Sequence, residues 1–490
     1  MEWTRLLSTK RQRQNRYKSQ KYGDADLRSE FEKDYHRIIG SASFRRLQDK
    51  TQVFPLDKSD FIRTRLTHSM EVSSLAKSLG QNIGESILVH KKDSSFTVQM
   101  KEDICNILQC AGLIHDIGNP PFGHYGEAAI REWFERNLPL LTYHGTSLEE
   151  LLEPQMREDF YHFEGNAQAL RLVQQISHFL VDENGMNLTY ALLNTIIKYP
   201  VASTKIHPES GDIREKKMGY YYADRELFED IVSETGAGNH RHPLTFILEA
   251  ADDIAYKTAD IEDAFVKRFL TYHSLRDELR KLQNREKKYA DPEEKDQNWF
   301  CPADKLVELY DRAKKNGVDD PGDYAVKNWI VKAQGFLIGC ATSGFTSHYE
   351  EIMEGTYKKD LFAGTLAEGL VKLLGEIACK CVFKTETIYR MEVKEAVMLD
   401  NLLDRFVGAA IKYDDPTQKL NSIEERLISF ISNNYKKCIS LSCRRKIRGL
   451  SSLSETSAGY GLYLWYDRQL CEEAVSGIEC DYGIKENISE

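Results

Sequence analysis

The sequence lacks any run of about 18 apolar residues, the length that a membrane-spanning helix needs. Its N-terminus is rich in arginine and lysine, but no apolar stretch follows it, so it does not resemble a secretory signal. Basic charge is not in excess either, because the formal net charge is −10. These absences predict a cytoplasmic protein with no membrane partner, and they argue against a generally cationic nucleic-acid binder.

The cysteines show no regular spacing, and prolines are few. The 10 cysteines form no CxxC pair, which favours reduced thiols of a cytosolic core. The 12 prolines leave long stretches free to be helical, and alternating β patterns are few. We therefore predict an all-α fold. Its expected parts are a core with a basic N-terminal arm at 1–271, a charged helical excursion at 272–330, and a C-terminal helical region at 331–490 that packs on the core.

The most informative stretch runs from Cys110 to Glu127 and reads CAGLIHDIGNPPFGHYGE. An apolar run with helical period ends at the adjacent pair His115 and Asp116. Glycine and proline then forbid further helix, and the next charged groups are His124 and Glu127. An imidazole and a carboxylate at the end of a rigid helix suit a divalent metal, and a second His and Glu nearby suit acid/base catalysis.

Partners for this pair come from two other predicted helices. His68 lies in the first turn of an amphipathic helix that Thr67 can cap. Asp252, Tyr256 and Asp260 follow at i, i+4 and i+8 and therefore share one helix face. A purely structural histidine and a solvent-exposed acidic stripe stay open as alternative interpretations of these two segments.

Together, His68, His115, Asp116 and Asp252 offer two imidazoles and two carboxylates from rigid positions. This donor set suits Mn, Fe, Co, Ni or Zn, whereas Mg is a poorer match for nitrogen but could act in vitro. Such a metal would polarise a phosphorus centre and lower the pKa of an attacking water, while His124 and Glu127 would supply the protonation step. Arg, Lys and Tyr side chains would hold a polyphosphate.

Two basic features have two interpretations each. The arginines and lysines between Arg5 and Lys21 form either a solvated arm or a contact for a polyanion. Lys198, beside Tyr199 at the end of a helix predicted to stop at Pro200, suits either a phosphate or the helix dipole.

The pattern H…HD…D resembles the HD superfamily of metal-dependent phosphohydrolases. Longer motifs, in the same order, resemble the bacterial deoxyguanosine triphosphate triphosphohydrolases (dGTPases) in their long form. These motifs are KTQVFPL, RTRLTHSMEV, HDIGNPPFGHYGEAAI, HFEGNAQ and EAADDIAYKTADIEDA. The resemblance extends to the C-terminal SGI segment and so covers nearly the whole chain.

The resemblance implies hydrolysis of a deoxynucleoside triphosphate, most often dGTP, to the deoxynucleoside and tripolyphosphate through attack at the α-phosphorus. It implies Mn²⁺ or Mg²⁺ on the four ligands already named, with Asp253 as a neighbour that the sequence does not exclude. It gives His124 and Glu127 the catalytic positions. The substrate contacts that it implies are Gln52, Val53, Arg65, Asn166, Lys198, Tyr199, Tyr256, Asp260, Phe383 and Glu392.

In long members of this family, a neighbouring subunit helps to read guanine, a role implied here for Phe383 and Glu392. A further basic contact is expected at 412–426, where Lys419 is a candidate. The same resemblance implies an HD-domain helical core with additional C-terminal helices. It also implies a homo-hexamer, with region 331–490 contributing to subunit contacts, and suggests binding of single-stranded DNA.

Two other functions are open on the sequence. One is a different HD phosphohydrolase, such as a nucleotidase or a hydrolase of cyclic dinucleotides or alarmones; the GNPPFGHYGE motif and the pair Gln52 and Val53 argue against it. The other is a non-enzymatic nucleotide sensor or a single-stranded DNA-binding protein. The presence of His124 and Glu127 favours catalysis, because a sensor need not keep an acid/base pair.

Overall fold

A computed structural model describes residues 1–12, 26–50, 63–91, 93–176, 185–286, 300–415 and 417–431. Within these ranges the chain is all-α apart from one hairpin, which confirms the predicted fold class. The α-helices of the described ranges, numbered in chain order, are α1 (Trp3–Leu6), α2 (Glu30–Ile39), α3 (Ala42–Arg45), α4 (Arg65–Ser86), α5 (Val98–Ile114), α6 (Gly123–Asn137), α7 (Leu148–Leu151), α8 (Pro154–Tyr161), α9 (Gly165–Arg171), α10 (Tyr190–Ile196), α11 (Arg225–Thr235), α12 (Pro243–Val266), α13 (Tyr272–Arg285), α14 (Pro302–Lys315), α15 (Pro321–Ser347), α16 (Tyr349–Glu354), α17 (Glu368–Ala378), α18 (Glu386–Asp414) and α19 (Ser422–Phe430).

The hairpin pairs β1 (Thr142–Tyr143) with β2 (Thr146–Ser147) in antiparallel register. His144 and Gly145 between them both have positive φ, 48° and 82°, as a tight two-residue hairpin turn requires. π-Helical turns at Ile87–Lys91, Leu172–Ile176 and Cys379–Phe383 extend α4, α9 and α17. No helix of the described ranges combines the length and apolar character needed to cross a membrane.

The main core forms where α4, α5 and α12 pack together. On α5, the predicted apolar face is fully buried, and the helix ends at Ile114 with His115 as its C-cap residue, as the sequence predicted. Gly112 lets α4 approach α5 closely, because a Cβ at Gly112 would lie 2.5 Å from Cα of Ser73. The backbones of α4 and α5 therefore touch one turn before His115.

The start of α4 differs from the prediction. Its N-cap is Thr64 and not Thr67: the Thr64 hydroxyl accepts a hydrogen bond from the Thr67 N–H, and the Thr64 N–H donates one to the Thr67 hydroxyl. This reciprocal capping box begins the helix at Arg65. His68 stays in the first turn, as predicted, and Arg65 now belongs to that turn as well.

Helix α12 begins with Pro243 at its first position, as predicted, and buries Leu244, Ile247, Ala251 and Ile254. A second core joins α6 and α8 to α18. There the Trp133 indole N–H donates a 2.8 Å hydrogen bond to Asp404. Residues on α6 and α18 are thereby fixed relative to each other.

Within 272–330, the described residues are helical and their apolar face is covered. Leu275, Leu279 and Leu282 of α13 are buried, as are Leu306 and Leu309 of α14. The long helix α15 begins inside this segment, continues past residue 330 and packs on α4 and α12. The predicted division into three parts stays a prediction.

The described part of the basic N-terminus is bound within the chain. Arg11 is buried and pairs with Asp34, 2.5 Å away, and Lys10 pairs with Glu234 at 2.9 Å. Basic residues at 13–25 lie outside the described residues, so contact with a polyanion stays a prediction.

Candidate active site

The four predicted metal ligands converge where α4, α5 and α12 meet. One ligand atom each of His68, His115 and Asp116 lies within 4.8 Å of the others. Asp252 joins them from α12, with its Oδ1 3.4 Å from Nε2 of His68 and 3.3 Å from Nε2 of His115. Three separate helices thus bring two imidazoles and two carboxylates to one point.

The His115 imidazole presents a bare nitrogen to this cluster. Nδ1 of His115 lies 2.8 Å from the Gly112 carbonyl, which can only accept, so Nδ1 carries the proton and Nε2 has a lone pair. That buried Nε2 has no hydrogen-bond partner among the described residues. A lone pair facing carboxylates is favourable only with a proton or a cation between them. The donor set therefore fits a divalent transition metal.

A cationic side chain donates a hydrogen bond to each of the two carboxylates. Arg65 donates a 2.6 Å hydrogen bond to Oδ2 of Asp116, and Asn119 donates one of 2.6 Å to Oδ1. Lys198 donates a 3.0 Å hydrogen bond to Oδ2 of Asp252. Arg65 and Lys198, two predicted phosphate contacts, are therefore directly attached to the ligand cluster.

The charges of the cluster reinforce one another. Burial opposes ionisation of Asp252, but Lys198 and His115 outweigh it and hold the pKa of this carboxyl well below its usual range. Burial likewise disfavours the charged form of His115, yet Asp252 and Asp116 outweigh it and raise the pKa of this imidazole. Both carboxylates are accordingly ionised at neutral pH.

The structure distinguishes Asp252 from its neighbour Asp253, which the sequence did not exclude as a ligand. Asp252 faces the imidazoles, whereas Asp253 forms an ion pair with Lys257, one turn further along α12. Burial raises the pKa of Asp253. Asp252 is therefore the carboxylate of this pair that lies at the cluster.

The loop after the cluster has a tightly constrained backbone. A Cβ at Gly118 would lie 1.9 Å from the Gly165 carbonyl oxygen, so the loop touches the start of α9. Phe122 adopts φ of 65°, a left-handed conformation uncommon for a non-glycine residue, and Gly123 follows at 57°. This turn starts α6 and brings His124 back toward Arg65, whose guanidinium would lie 2.8 Å from a Cβ at Gly123.

His124 and Glu127 form a direct pair on the first turn of α6. Nδ1 of His124 lies 3.0 Å from Oε2 of Glu127, and the Gly165 N–H donates a 2.9 Å hydrogen bond to Oε1. Glu127 is 1% exposed, while the His124 side chain is 80% exposed. Burial opposes the charge on Glu127, but His124 and Lys217 outweigh it and lower the pKa of Glu127. A buried carboxylate thus orients an accessible imidazole.

Two residues that the sequence did not assign lie beside this pair. Glu164 is buried; it accepts hydrogen bonds from Asn166, a predicted substrate contact, and lies 2.7 Å from Nζ of Lys217. Lys217 is also 3.9 Å from Oε2 of Glu127. The signal for Glu164 was its place in the HFEGNAQ motif, whereas Lys217 lies in a segment without periodicity.

Tyr256 and Asp260 continue from Asp252 along the same face of α12, as predicted. The Tyr256 ring stacks parallel to the ring of Phe383, with centroids 6.2 Å apart and planes 7° apart. Asp260 is buried, and neither carboxylate oxygen has a hydrogen-bond partner among the described residues. Burial and the nearby Asp263 raise the pKa of Asp260 well above its ordinary value.

Glu392 lies on α18, the helix that packs against α6. Burial, followed by the negative charges of Glu392 and Glu132, raises the pKa of Tyr125, the neighbour of His124. Phe383 therefore lies beside Tyr256 of its own chain, and the charge of Glu392 is close enough to act on Tyr125. A contribution from a neighbouring subunit stays a prediction.

The other predicted contacts fall outside this cluster or outside the described ranges. Tyr199 is buried beside Lys198, whose carbonyl accepts a 2.9 Å hydrogen bond from Arg241. Lys419 is exposed in the segment before α19. Gln52 and Val53 lie outside the described residues, as does the SGI segment.

A helical scaffold that presents two imidazoles and two carboxylates in this way defines an HD-domain hydrolase, and the family model described as HD domain matches residues 65–189. A deoxyguanosinetriphosphate triphosphohydrolase-like protein of Listeria innocua is 43% identical over 440 residues, which are 89% of this chain and 90% of that relative. A deoxyguanosinetriphosphate triphosphohydrolase of Serratia proteamaculans is 31% identical over an alignment of 496 positions, gaps included, which covers 94% of this chain and 93% of that relative. The chain belongs to the deoxyguanosinetriphosphate triphosphohydrolase family. The family and the hydrolase class expected from the sequence are thereby confirmed.

Proposed function

We propose that this protein is a metal-dependent triphosphohydrolase that converts dGTP and water to deoxyguanosine and tripolyphosphate. The observation that carries the proposal is the position of the His124 and Glu127 pair relative to the ligand cluster. One constrained loop begins at Asp116 and ends at His124, and Arg65 contacts Asp116 while lying against the Gly123 position. This arrangement supports chemistry on a phosphoryl group held between the two sets of residues. The names of the relatives support the choice of substrate.

His68, His115, Asp116 and Asp252 would hold the divalent ion, with Mn²⁺ or Mg²⁺ proposed first and Co, Ni, Fe or Zn also suited to the donors. When bound, the ion would supply Lewis acidity at the α-phosphoryl group and acidify a water molecule. Because Asp252 and Asp116 are each anchored from behind by a cation, the donors are oriented before substrate arrives.

His124 supplies the proton that the leaving group needs. Water adds to the α-phosphorus and releases one proton to solvent, the bond to the 5′ oxygen breaks, and His124 donates a proton to that oxygen and is reprotonated from solvent. Glu127 accepts from Nδ1 of His124 at 3.0 Å and stabilises the charged imidazolium, and its own lowered pKa keeps it ionised for this role.

The cations around the loop suit the three phosphates. We propose that Arg65, Lys198 and Lys217 bind phosphate oxygens, with Asn166 and Tyr199 as further polar contacts. Tyr256, backed by Phe383, would lie against the deoxyribose and disfavour a 2′-hydroxyl, and Asp260 would accept from a sugar hydroxyl. Glu392 would accept from the N–H groups of guanine, which adenine lacks. Gln52 and Val53, homo-hexamer assembly and single-stranded DNA binding stay predictions.

The test is anion-exchange analysis of the products formed with Mn²⁺ from each of the four dNTPs, with GTP as control substrate and His115→Ala as control protein. Deoxyguanosine and tripolyphosphate from dGTP alone would support the full proposal. Tripolyphosphate from all four dNTPs would retain the mechanism and remove the selective role of Glu392. Release of single phosphate would indicate a different HD phosphohydrolase. No turnover by folded, metal-loaded protein would favour a nucleotide sensor.

A further inference from the structure

We propose that Glu164 is a positioning residue for the triphosphate: it holds Asn166 and Lys217 in place and keeps Lys217 away from Glu127. The inference rests on the proposed function for the identity of the ligand. The contacts of Glu164 with Asn166 and Lys217 do not depend on that function.

Glu164 is almost fully buried, at 1% exposure, and both of its oxygens are directed to named partners. Oε1 accepts hydrogen bonds from the backbone N–H of Asn166 at 3.4 Å and from its side-chain amide at 2.5 Å. Oε2 lies 2.7 Å from the Lys217 ammonium. A buried carboxylate is costly unless it is paired, so Lys217 and Glu164 hold each other in position.

Lys217 stands between two buried carboxylates and is closer to one of them. Its Nζ is 2.7 Å from Glu164 and 3.9 Å from Glu127. Glu127 already accepts from His124 and from the Gly165 N–H. Because Glu164 takes the direct contact, Glu127 is influenced by the lysine charge without forming a close ion pair with it. The Oε2 of Glu127 stays available to orient His124.

Glu164 also has a structural role that a test must separate, because it is the N-cap residue of α9. Glu164→Gln separates the two roles. The glutamine oxygen can still accept from the Asn166 N–H, and the side-chain length is unchanged, but the negative charge beside Lys217 is lost.

The first experiment is calorimetric titration of inorganic tripolyphosphate into the Mn²⁺-loaded wild-type protein and the variants Glu164→Gln, Lys217→Gln and the double variant. We expect Glu164→Gln to weaken binding about tenfold, the size expected for loss of a hydrogen bond to a charged group. In the Lys217→Gln background, Glu164→Gln should weaken tripolyphosphate binding by only about twofold or less, because most of its effect on binding acts through Lys217. Equal binding by wild type and Glu164→Gln, or fully additive losses, would overturn the proposal.

The second experiment measures the pH profile of kcat with dGTP. If Glu164 acted only as a helix cap, its replacement would not shift the limbs of this profile. In Glu164→Gln the lysine can close on Glu127 and favour its ionised form, so the acidic limb should move to lower pH. In Lys217→Gln that charge is lost and the limb should move to higher pH. Shifts in the same direction would contradict the proposal.

The control variant is Glu164→Asp, which keeps the negative charge and is a good helix cap. Its pH profile should resemble that of the wild type, and this result would show that the glutamine variant does not owe its profile to a folding defect. If the wild-type protein binds tripolyphosphate but forms none from any dNTP, the proposed function fails and the calorimetric result still decides the role of Glu164.

Discussion

Nζ of Lys198 lies 3.0 Å from Oδ2 of Asp252, while the other oxygen of that carboxylate is the one closest to the two imidazoles. The lysine therefore fixes the rotation of the carboxylate and directs Oδ1 into the ligand cluster. Arg65 donates a hydrogen bond to Oδ2 of Asp116, and Asn119 donates one to Oδ1 of the same carboxylate. Hydrogen bonds from neighbouring side chains thus fix the orientation of both carboxylates in the cluster.

Asp252→Asn should remove metal binding, whereas Asp253→Asn should leave it nearly unchanged, because Asp253 pairs with Lys257 and not with the imidazoles. We expect Asp252→Asn to lower kcat/KM by more than about 100-fold, the upper end of the loss seen for outer-shell partners. Titration of Mn²⁺ followed by electron paramagnetic resonance measures the binding directly. Comparable losses in the two variants would show that the assignment of Asp252 is wrong.

His124→Gln and Glu127→Gln should each lower kcat by about 10²- to 10⁴-fold, the range for general acid/base groups. The double variant should be little worse than either single one, since Glu127 acts through His124 at 3.0 Å. Single-turnover measurements with saturating dGTP isolate the chemical step. Multiplicative losses would mean that the two residues act independently.

Tyr256→Ala should relax discrimination against ribonucleotides, with the ratio of kcat/KM for dGTP to that for GTP falling about tenfold. Phe383→Leu should have the same effect to a smaller degree, because the Phe383 ring stacks on Tyr256 and fixes its plane. Competition of dGTP against GTP in one reaction measures the ratio. An unchanged ratio in both variants would remove the sugar-reading role of this stack.

Gly118→Ala should destabilise the protein by about 1–3 kcal/mol or more, because the added methyl group would meet backbone atoms of Gly165 and Ala169. The matched control is Gly335→Ala in the middle of α15, where a Cβ has nothing within 4 Å. That substitution should stabilise by about 0.5–1 kcal/mol through helix propensity. Urea denaturation of both variants measures whether each substitution lowers or raises the free energy of unfolding.

Glu395 should make stability depend on pH near neutrality. Burial, together with the charge of Glu392, raises the pKa of Glu395 to about 7 in the folded chain, above its value of about 4.3 in an unfolded one. The stabilisation linked to this protonation is complete below the unfolded value and is lost as the pH rises through about 7. Glu395→Gln should therefore be more stable than wild type by about 1–2 kcal/mol at about pH 8.5, and little different at about pH 4.

Urea midpoints at the two pH values test this. Gln cannot ionise, so its advantage should vanish on acidification. An advantage of the same size at both pH values would mean that packing, and not the charge of Glu395, is responsible.

The sequence predicted the scaffold well where local rules determine it. The period of α5 located His115 at the helix end, and the spacing on α12 placed Asp252, Tyr256 and Asp260 on one face. It favoured Asp252 but did not exclude Asp253, because which of two adjacent helix positions meets the imidazoles depends on how α12 packs against α4. The cap of α4 was misplaced because Thr64 and Thr67 have the same chemistry and form one reciprocal motif.

Contacts between distant, non-periodic segments were harder to predict. Lys217 comes from a segment with no helical or strand pattern, and only the folded chain brings it to Glu164. The stack of Phe383 on Tyr256 depends on a π-helical turn at Cys379–Phe383, which has no simple sequence signature.

The order of the ligands along the chain has a consequence for biosynthesis. The region that matches the HD family model ends at residue 189, so it includes His68, His115 and Asp116 but not Asp252. A nascent chain stalled at that point would have the N-terminal ligands and lack the carboxylate that α12 brings to them. On the proposed ligand set, the metal site is complete only after α12, which ends at Val266, has left the ribosome and docked, and a product terminated before α12 is expected to be inactive.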